Sequence, residues 1–285
     1  MAVLAIDIGG TKHALAWFAD GRLERRAVFP TDAAGGREWM VPRLVELGRE
    51  WCAAARPAAC GIGFGGPVDF AAQRAGRSMH ASGWQDFPLA EKLERELGVP
   101  CRMDNDANLG AVGEHRFGAG RGAASLLYVT LSTGIGAGLI VDNKIVRGAD
   151  SLAGELGHLP LDDGGPECSC GGRGCFEALA SGRAIERRSG RPAAELLADA
   201  EFRRGYVPVL ARGLRAALML VNPERVVIGG GLSKAGDALF TELRAELARQ
   251  IPASLPARVD VRPAELGDDS VLWGAMALAE ETLCR

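Results

Sequence analysis

Residues 2–30 read AVLAIDIGGTKHALAWFADGRLERRAVFP, and residues 125–150 read SLLYVTLSTGIGAGLIVDNKIVRGAD. Each passage runs from an apolar stretch through a turn of glycines and hydroxyls into a second apolar stretch. Each then turns back at Asp-Gly or Asp-Asn into a third. Such a pattern predicts strand, glycine turn, strand, two-residue hairpin, strand. Its recurrence about 120 residues later is the signature of an internal repeat. The repeat predicts a duplicated α/β fold in which two equivalent turns face each other across a cleft.

The intervening sequence supports an α/β reading. Trp39, Leu44, Leu47 and Trp51 recur at helical spacing within REWMVPRLVELGREWCAAA. ACGIGFGGPVD reads as a buried strand, PLAEKLERELG as a helix with a charged face, and PCRMDND as a short strand leading into a helix that ends at Gly118. Later, VPVLARGLRAALMLV is an apolar helix, ERVVIGGG a buried strand, and ALFTELRAELARQI an amphipathic helix. SVLWGAMALAEETL closes the chain as another helix. With 285 residues there is material for two cores, and the boundary is placed at 116–122, giving lobes 1–117 and 118–285.

The formal net charge is −3, from 33 basic and 36 acidic residues mixed along the length. No basic run offers a nucleic-acid or lipid surface, so small molecules or a second copy of the chain are the expected partners. Asp7 interrupts the first apolar run too early for a signal peptide or a spanning helix, so a cytoplasmic location, away from membranes, is expected. The seven cysteines, an odd number, are then expected to be reduced. Cys52, Cys60, Cys101 and Cys284 are scattered and read as small buried hydrophobes.

Two turns have the chemistry of phosphate cradles, and a third that of a nucleoside platform. In Asp7-Ile8-Gly9-Gly10-Thr11-Lys12, the glycines let backbone N–H groups approach phosphate oxygens, Thr11 adds a donor, and Asp7 can hold hydrated Mg²⁺. Thr133-Gly134 occupies the equivalent place in the repeat. Gly229-Gly230-Gly231 follows a buried strand and offers a flat backbone surface suited to an adenosine, although a turn chosen for sterics would look the same. Asp104, Asn105, Asp106 and Asn108 crowd a strand-to-helix junction, more polar groups than helix capping needs. They suit a polyol, with one carboxylate left to accept a hydroxyl proton.

Taken in order, DIGGTK, GIGFGGPVD, NDAN, STGIGAGLI, LAGELGH, CSCGGRGCFE, NPERVVIGGG and DDSVLWGAMALA resemble the ROK family of bacterial sugar kinases and sugar-responsive repressors over nearly the whole length. The resemblance implies the two-lobed actin-like, hexokinase-like ATPase fold built from duplicated RNase H-like domains. It further implies that the helix at about 270–283 packs back on the N-terminal lobe, and that the chain is a homodimer. The implied activity is ATP-dependent phosphoryl transfer to a hydroxyl of glucose, fructose, mannose or an N-acetylhexosamine. Asp106 would be the general base, and Gly66, Asn105, Asp106, Glu155, His158 and Glu177 would contact the sugar. His158, Cys168, Cys170 and Cys175 supply one imidazole and three thiolates, a closed set suited to structural Zn²⁺. The metal would brace a glycine-rich loop that lies between Glu155 and Glu177.

Two departures from the family pattern stand out. Ser132 occupies a position where many relatives carry glycine. The segment between Glu177 and Asn222 is short, which predicts a trimmed helix in the second lobe and leaves the detail of the nucleotide pocket and of the dimer contacts open. His80, in MHASGWQDFPL, is either near the sugar or on the surface. Three rivals remain. A repressor would need a DNA-reading element ahead of the first strand, which begins at residue 2. An actin-like filament subunit has no use for a braced sugar loop. A non-catalytic sugar sensor could keep every sugar contact, and retention of Asp106 with both phosphate turns argues for the enzyme.

Overall fold

A computed structural model describes residues 1–32, 34–76, 82–254 and 260–284. His80 lies outside the described residues. In chain order the elements are β1 (Ala2–Ile8), β2 (Lys12–Ala19), β3 (Arg22–Pro30), α1 (Gly36–Ala54), β4 (Cys60–Phe64), β5 (Val68–Asp69), β6 (Arg74–Ala75), α2 (Leu89–Leu97), β7 (Cys101–Asn105) and α3 (Asp106–Phe117). They continue with β8 (Leu126–Leu131), β9 (Ile135–Val141), β10 (Lys144–Val146), α4 (Phe176–Ala180), α5 (Gly182–Ser189), α6 (Ala193–Ala198) and α7 (Ala200–Val221). β11 (Arg225–Gly229), α8 (Asp237–Gln250), β12 (Val261–Pro263) and α9 (Ser270–Leu283) complete the chain.

Two five-stranded sheets have the same plan, β3-β2-β1-β4-β7 and β10-β9-β8-β11-β12. In each, the leading strand pairs antiparallel with its hairpin partner and parallel with the strand that follows the first crossover. Both hairpins turn at two residues of positive φ, Asp20 and Gly21 in one, Asp142 and Asn143 in the other. That geometry matches the right-handed twist of the flanking strands.

The chain divides into two compact units. Unit 1 comprises Met1–Gly113, Arg147–Leu152 and Asp269–Arg285, and unit 2 comprises Glu114–Val146 and Ala153–Asp268. The six residues Arg147–Leu152 therefore group with unit 1, although the sequence reading placed them wholly in the second half.

In unit 1, β1 and β4 present one face to α9. Gly61 and Gly63 make this possible. A Cβ on Gly61 would stand 1.9 Å from the Ala275 carbonyl oxygen, and one on Gly63 would stand 2.5 Å from Val271 Cγ1. The opposite core gathers Leu4, Ile6, Leu44, Leu47, Trp51 and Ile62. Trp39, grouped with that core by its spacing, is 36% exposed and lies edge-on to His13 instead. Unit 2 buries Phe176, Leu210, Leu214, Val226 and Leu243 around β8 and β11. Among the described residues no helix is long and apolar enough to cross a membrane.

Candidate active site

In unit 1 the turn between β1 and β2 closes through Gly9 N–H donating to the Lys12 carbonyl at 2.9 Å. Thr31 clamps it from β3's end, its N–H on the Thr11 carbonyl at 3.0 Å and its hydroxyl on the Gly9 carbonyl at 3.1 Å. Sequence reading overlooked Thr31, which no motif flags. Gly10 is half-buried and Thr11 exposed, so the turn's donors can reach a ligand.

Asp7, at the end of β1, is 9% exposed. Burial pushes its carboxyl up to about 7, and the Asp106 charge adds to the effect while Lys12 opposes it. A buried carboxylate beside a second acid is a group that a bound cation would stabilise. This is the donor chemistry Mg²⁺ takes.

Asp106 begins α3, where the helix N-terminus favours its anion. Its Oδ1 accepts the Ala107 N–H at 2.8 Å. A Cβ on Gly65 would lie only 3.4 Å from its Oδ2, so a bare backbone borders the carboxylate. Asn105 donates from Nδ2 to the Gly66 carbonyl at 3.0 Å, and its Oδ1 accepts the N–H groups of Ala107 and Asn108 at 2.9 and 3.2 Å. Unit 1 therefore gathers Asp7, the Gly9–Lys12 turn, Gly66, Asn105 and Asp106.

In unit 2 the second turn is tied to an acid expected at the sugar. Glu177 Oε2 accepts the Ile135 N–H at 2.8 Å, and a Cβ on Gly134 would stand 2.5 Å from that same oxygen. Gly182 N–H and Arg183 N–H donate to the Ser132 and Thr133 carbonyls at 2.8 and 3.2 Å, which seats the start of α5 on the turn. Neither residue was singled out from sequence. Gly229 and Gly230 are set by packing, because a Cβ on them would meet Tyr128 Oη at 2.6 Å and the Leu131 carbonyl oxygen at 2.4 Å. Gly231 alone of the three faces open space.

The loop before α4 brings His158, Cys168, Cys170 and Cys175 together, their ligand atoms all within 4.8 Å of one another. His158 Nδ1 lies 3.7 Å from Cys168 Sγ, and Cys170 Sγ lies 3.7 Å from Cys175 Sγ. Zinc–sulfur arms of about 2.3 Å at tetrahedral angles place neighbouring sulfurs about 3.8 Å apart. The donor set and its spacing fit Zn²⁺. Without a cation, burial pushes the Cys175 thiol up to about 12, while the Gly172 N–H holds Cys170 below its ordinary value. The other imidazole nitrogen, Nε2, is 3.9 Å from Glu155 Oε2. Glu155 keeps 42% of its side-chain surface, yet the atoms crowding its carboxyl raise its pKa, against the pull of His158 and with a smaller push from Glu177.

Known proteins resemble the chain throughout its length. The ROK family profile matches residues 3–282. The glucokinase of Thermotoga maritima is 31% identical over 312 residues, covering 99% of this chain and 98% of its own. A ROK hexokinase from Thermus thermophilus superimposes with a TM-score of 0.85 at 36% identity, over 100% of this chain and 99% of that one. A ROK family glucokinase from Streptomyces griseus, solved in complex with glucose and AMPPNP, gives a TM-score of 0.86 at 29% identity over 99% and 100% of the two chains. The xylose repressor of Bacillus subtilis is also similar, 29% identical over 210 residues that make up 69% of this chain and 55% of the repressor.

Proposed function

Because the chain belongs to the ROK family, we propose that it moves the terminal phosphoryl group of ATP to a hydroxyl of a hexose, with glucose the first candidate and Asp106 the general base. It is an ATP-dependent sugar kinase with the α/β actin-like ATPase fold. The observation that carries the residue assignment is the placement of Asp106, an acid at a helix start, bordered by the bare backbone of Gly65 and next to Asn105.

A sugar hydroxyl is a weak nucleophile. Asp106 takes its proton as the oxygen bonds to the γ-phosphorus and the bond to the bridging oxygen of ADP breaks. Asn105, Glu155 and Glu177 orient the sugar, the carboxylates as acceptors for its O–H groups. Glu177 has one oxygen engaged by Ile135 and the other left for a sugar. The N–H groups of Gly10 and Thr11 in the first turn and of Thr133 and Gly134 in the second, with Lys12, bind the phosphates and neutralise charge that builds on them, while the Gly9 N–H holds the first turn closed. Gly231 offers the adenosine its open backbone.

Asp7 would hold Mg²⁺ through its hydration shell, and the ion supplies charge neutralisation on the phosphates. His158, Cys168, Cys170 and Cys175 would hold Zn²⁺, whose part is to keep the loop rigid between Glu155 and Glu177. His158 turns Nδ1 to Cys168 Sγ, so as a ligand it would keep Nε2 for Glu155 and the sugar.

A coupled ADP-release screen over hexoses and N-acetylhexosamines tests the reading. Saturable, glucose-dependent ADP production is expected. Binding of a hexose with no ADP release across the panel would favour the sugar sensor, the reading that the repressor relatives support.

A further inference from the structure

Asp104 is the last buried acid before the proposed sugar contact, and its own side chain is 2% exposed. One oxygen accepts the Asn105 N–H at 2.8 Å and the Asn108 Nδ2 at 3.0 Å. The other accepts Arg147 Nε at 2.8 Å, and Arg147 Nη2 lies 2.8 Å from the same oxygen. This cation does not come from β7 or α3. It comes from the first residue of Arg147–Leu152, the six-residue excursion that joins unit 1 between two stretches of unit 2.

Two further contacts fix the excursion. The Arg147 guanidinium lies 3.6 Å from the centre of the Phe70 ring, and Phe70 N–H donates to Ser151 Oγ at 3.2 Å. Gly148 and Ser151 both take positive φ, which glycine adopts freely and serine does not, so the Ser151 turn is held by its surroundings rather than by local propensity. Three residues past its end comes Glu155, and three further on His158. A buried carboxylate stripped of its partner is costly, which is why the guanidinium and the strand end are bound to move together.

We propose that Arg147 is a positioning residue for the acceptor sugar. Through Asp104 it fixes the strand end that presents Asn105 and Asp106. Through its own segment it anchors the chain from which Glu155 and His158 follow. Phosphate-turn residues do not depend on it. The inference rests on the kinase reading above for its kinetic form and on sugar binding alone for its thermodynamic form.

The test compares wild type with Arg147→Met and Arg147→Lys. Initial rates are measured with the hexose varied at saturating ATP and the reverse, and hexose affinity is measured by calorimetry without nucleotide. The hexose is glucose, or whichever sugar the ADP screen finds active. Arg147→Met is expected to raise the sugar KM and Kd by about tenfold to a hundredfold, the scale of a displaced contact, and to leave the ATP KM within about twofold. Arg147→Lys keeps the charge and loses the flat two-donor contact, so it should fall between. A folded Arg147→Met with unchanged sugar KM and Kd overturns the proposal, as does a parallel rise in both KM values. Should Arg147→Met fail to fold, Arg147→Lys decides the matter, and a wild-type sugar KM and Kd there overturns it. Wild type that binds the sugar without phosphorylating it refutes the kinase reading while the Kd comparison still tests Arg147.

Discussion

Replacing Asp7 with asparagine should flatten part of the protein's pH dependence. Asp7 titrates at about 7 in the folded chain against an ordinary 3.8. Between those values the folded state holds a proton that the unfolded chain has released. Stability from this group is therefore complete below pH 3.8 and is lost as pH rises through 7. The whole interval corresponds to about 4 kcal/mol, of which about 2.5 kcal/mol falls between pH 5 and pH 8. Asparagine has no such proton, so the stability of wild type minus that of Asp7→Asn should drop by about that amount over the same range. Urea denaturation in magnesium-free buffer at four pH values measures it. The signal is selective, because the protein's tryptophans, Trp17, Trp39, Trp51, Trp84 and Trp273, all lie in the unit that carries Asp7. A difference that stays constant from pH 5 to pH 8 would refute the reasoning.

Other substitutions address the remaining assignments. Asp106→Asn should lower turnover by a thousandfold or more, on the order expected for a lost general base, with the sugar Kd within about tenfold; rates near wild type would remove Asp106 from that role. Elemental analysis should find one zinc per chain in wild type and none in Cys170→Ser, whose sugar KM should rise, and fully active zinc-free protein would contradict the assignment. Gly134→Ala puts a methyl 2.5 Å from Glu177 Oε2 and should raise the KM values of sugar and ATP together. Gly61→Ala drives a methyl into the Ala275 carbonyl and should destabilise by about 3 kcal/mol, read as a fall in the tryptophan-reported urea midpoint.

The duplicated hairpins were legible because strand alternation and two-residue turns are local signals. So was the clustering of candidate-site residues that are contiguous in sequence, at the Asp104–Asn108 junction and in the thiol-rich loop. What stayed hidden depends on partners distant along the chain. Thr31 clamps the first turn from the far end of β3, and Gly182 and Arg183 seat a helix on the second turn. Gly229 and Gly230 read in sequence as a backbone surface for a ligand, and the packing against Tyr128 and Leu131 that also requires glycine there comes from the fold. Trp39 has helical spacing but stands at the edge of the apolar face. The excursion of Arg147–Leu152 has no periodicity at all, and its place follows from an ion pair with a residue 43 positions earlier.

The seating of α9 against Gly61 and Gly63 bears on how the chain is made. Every segment of unit 2 precedes Ser270 in synthesis. While those segments emerge from the ribosome, the face of β1 and β4 that α9 will cover stays bare. The half of the molecule begun first is thus finished last, and until then its uncovered strands are the surface that a chaperone would meet.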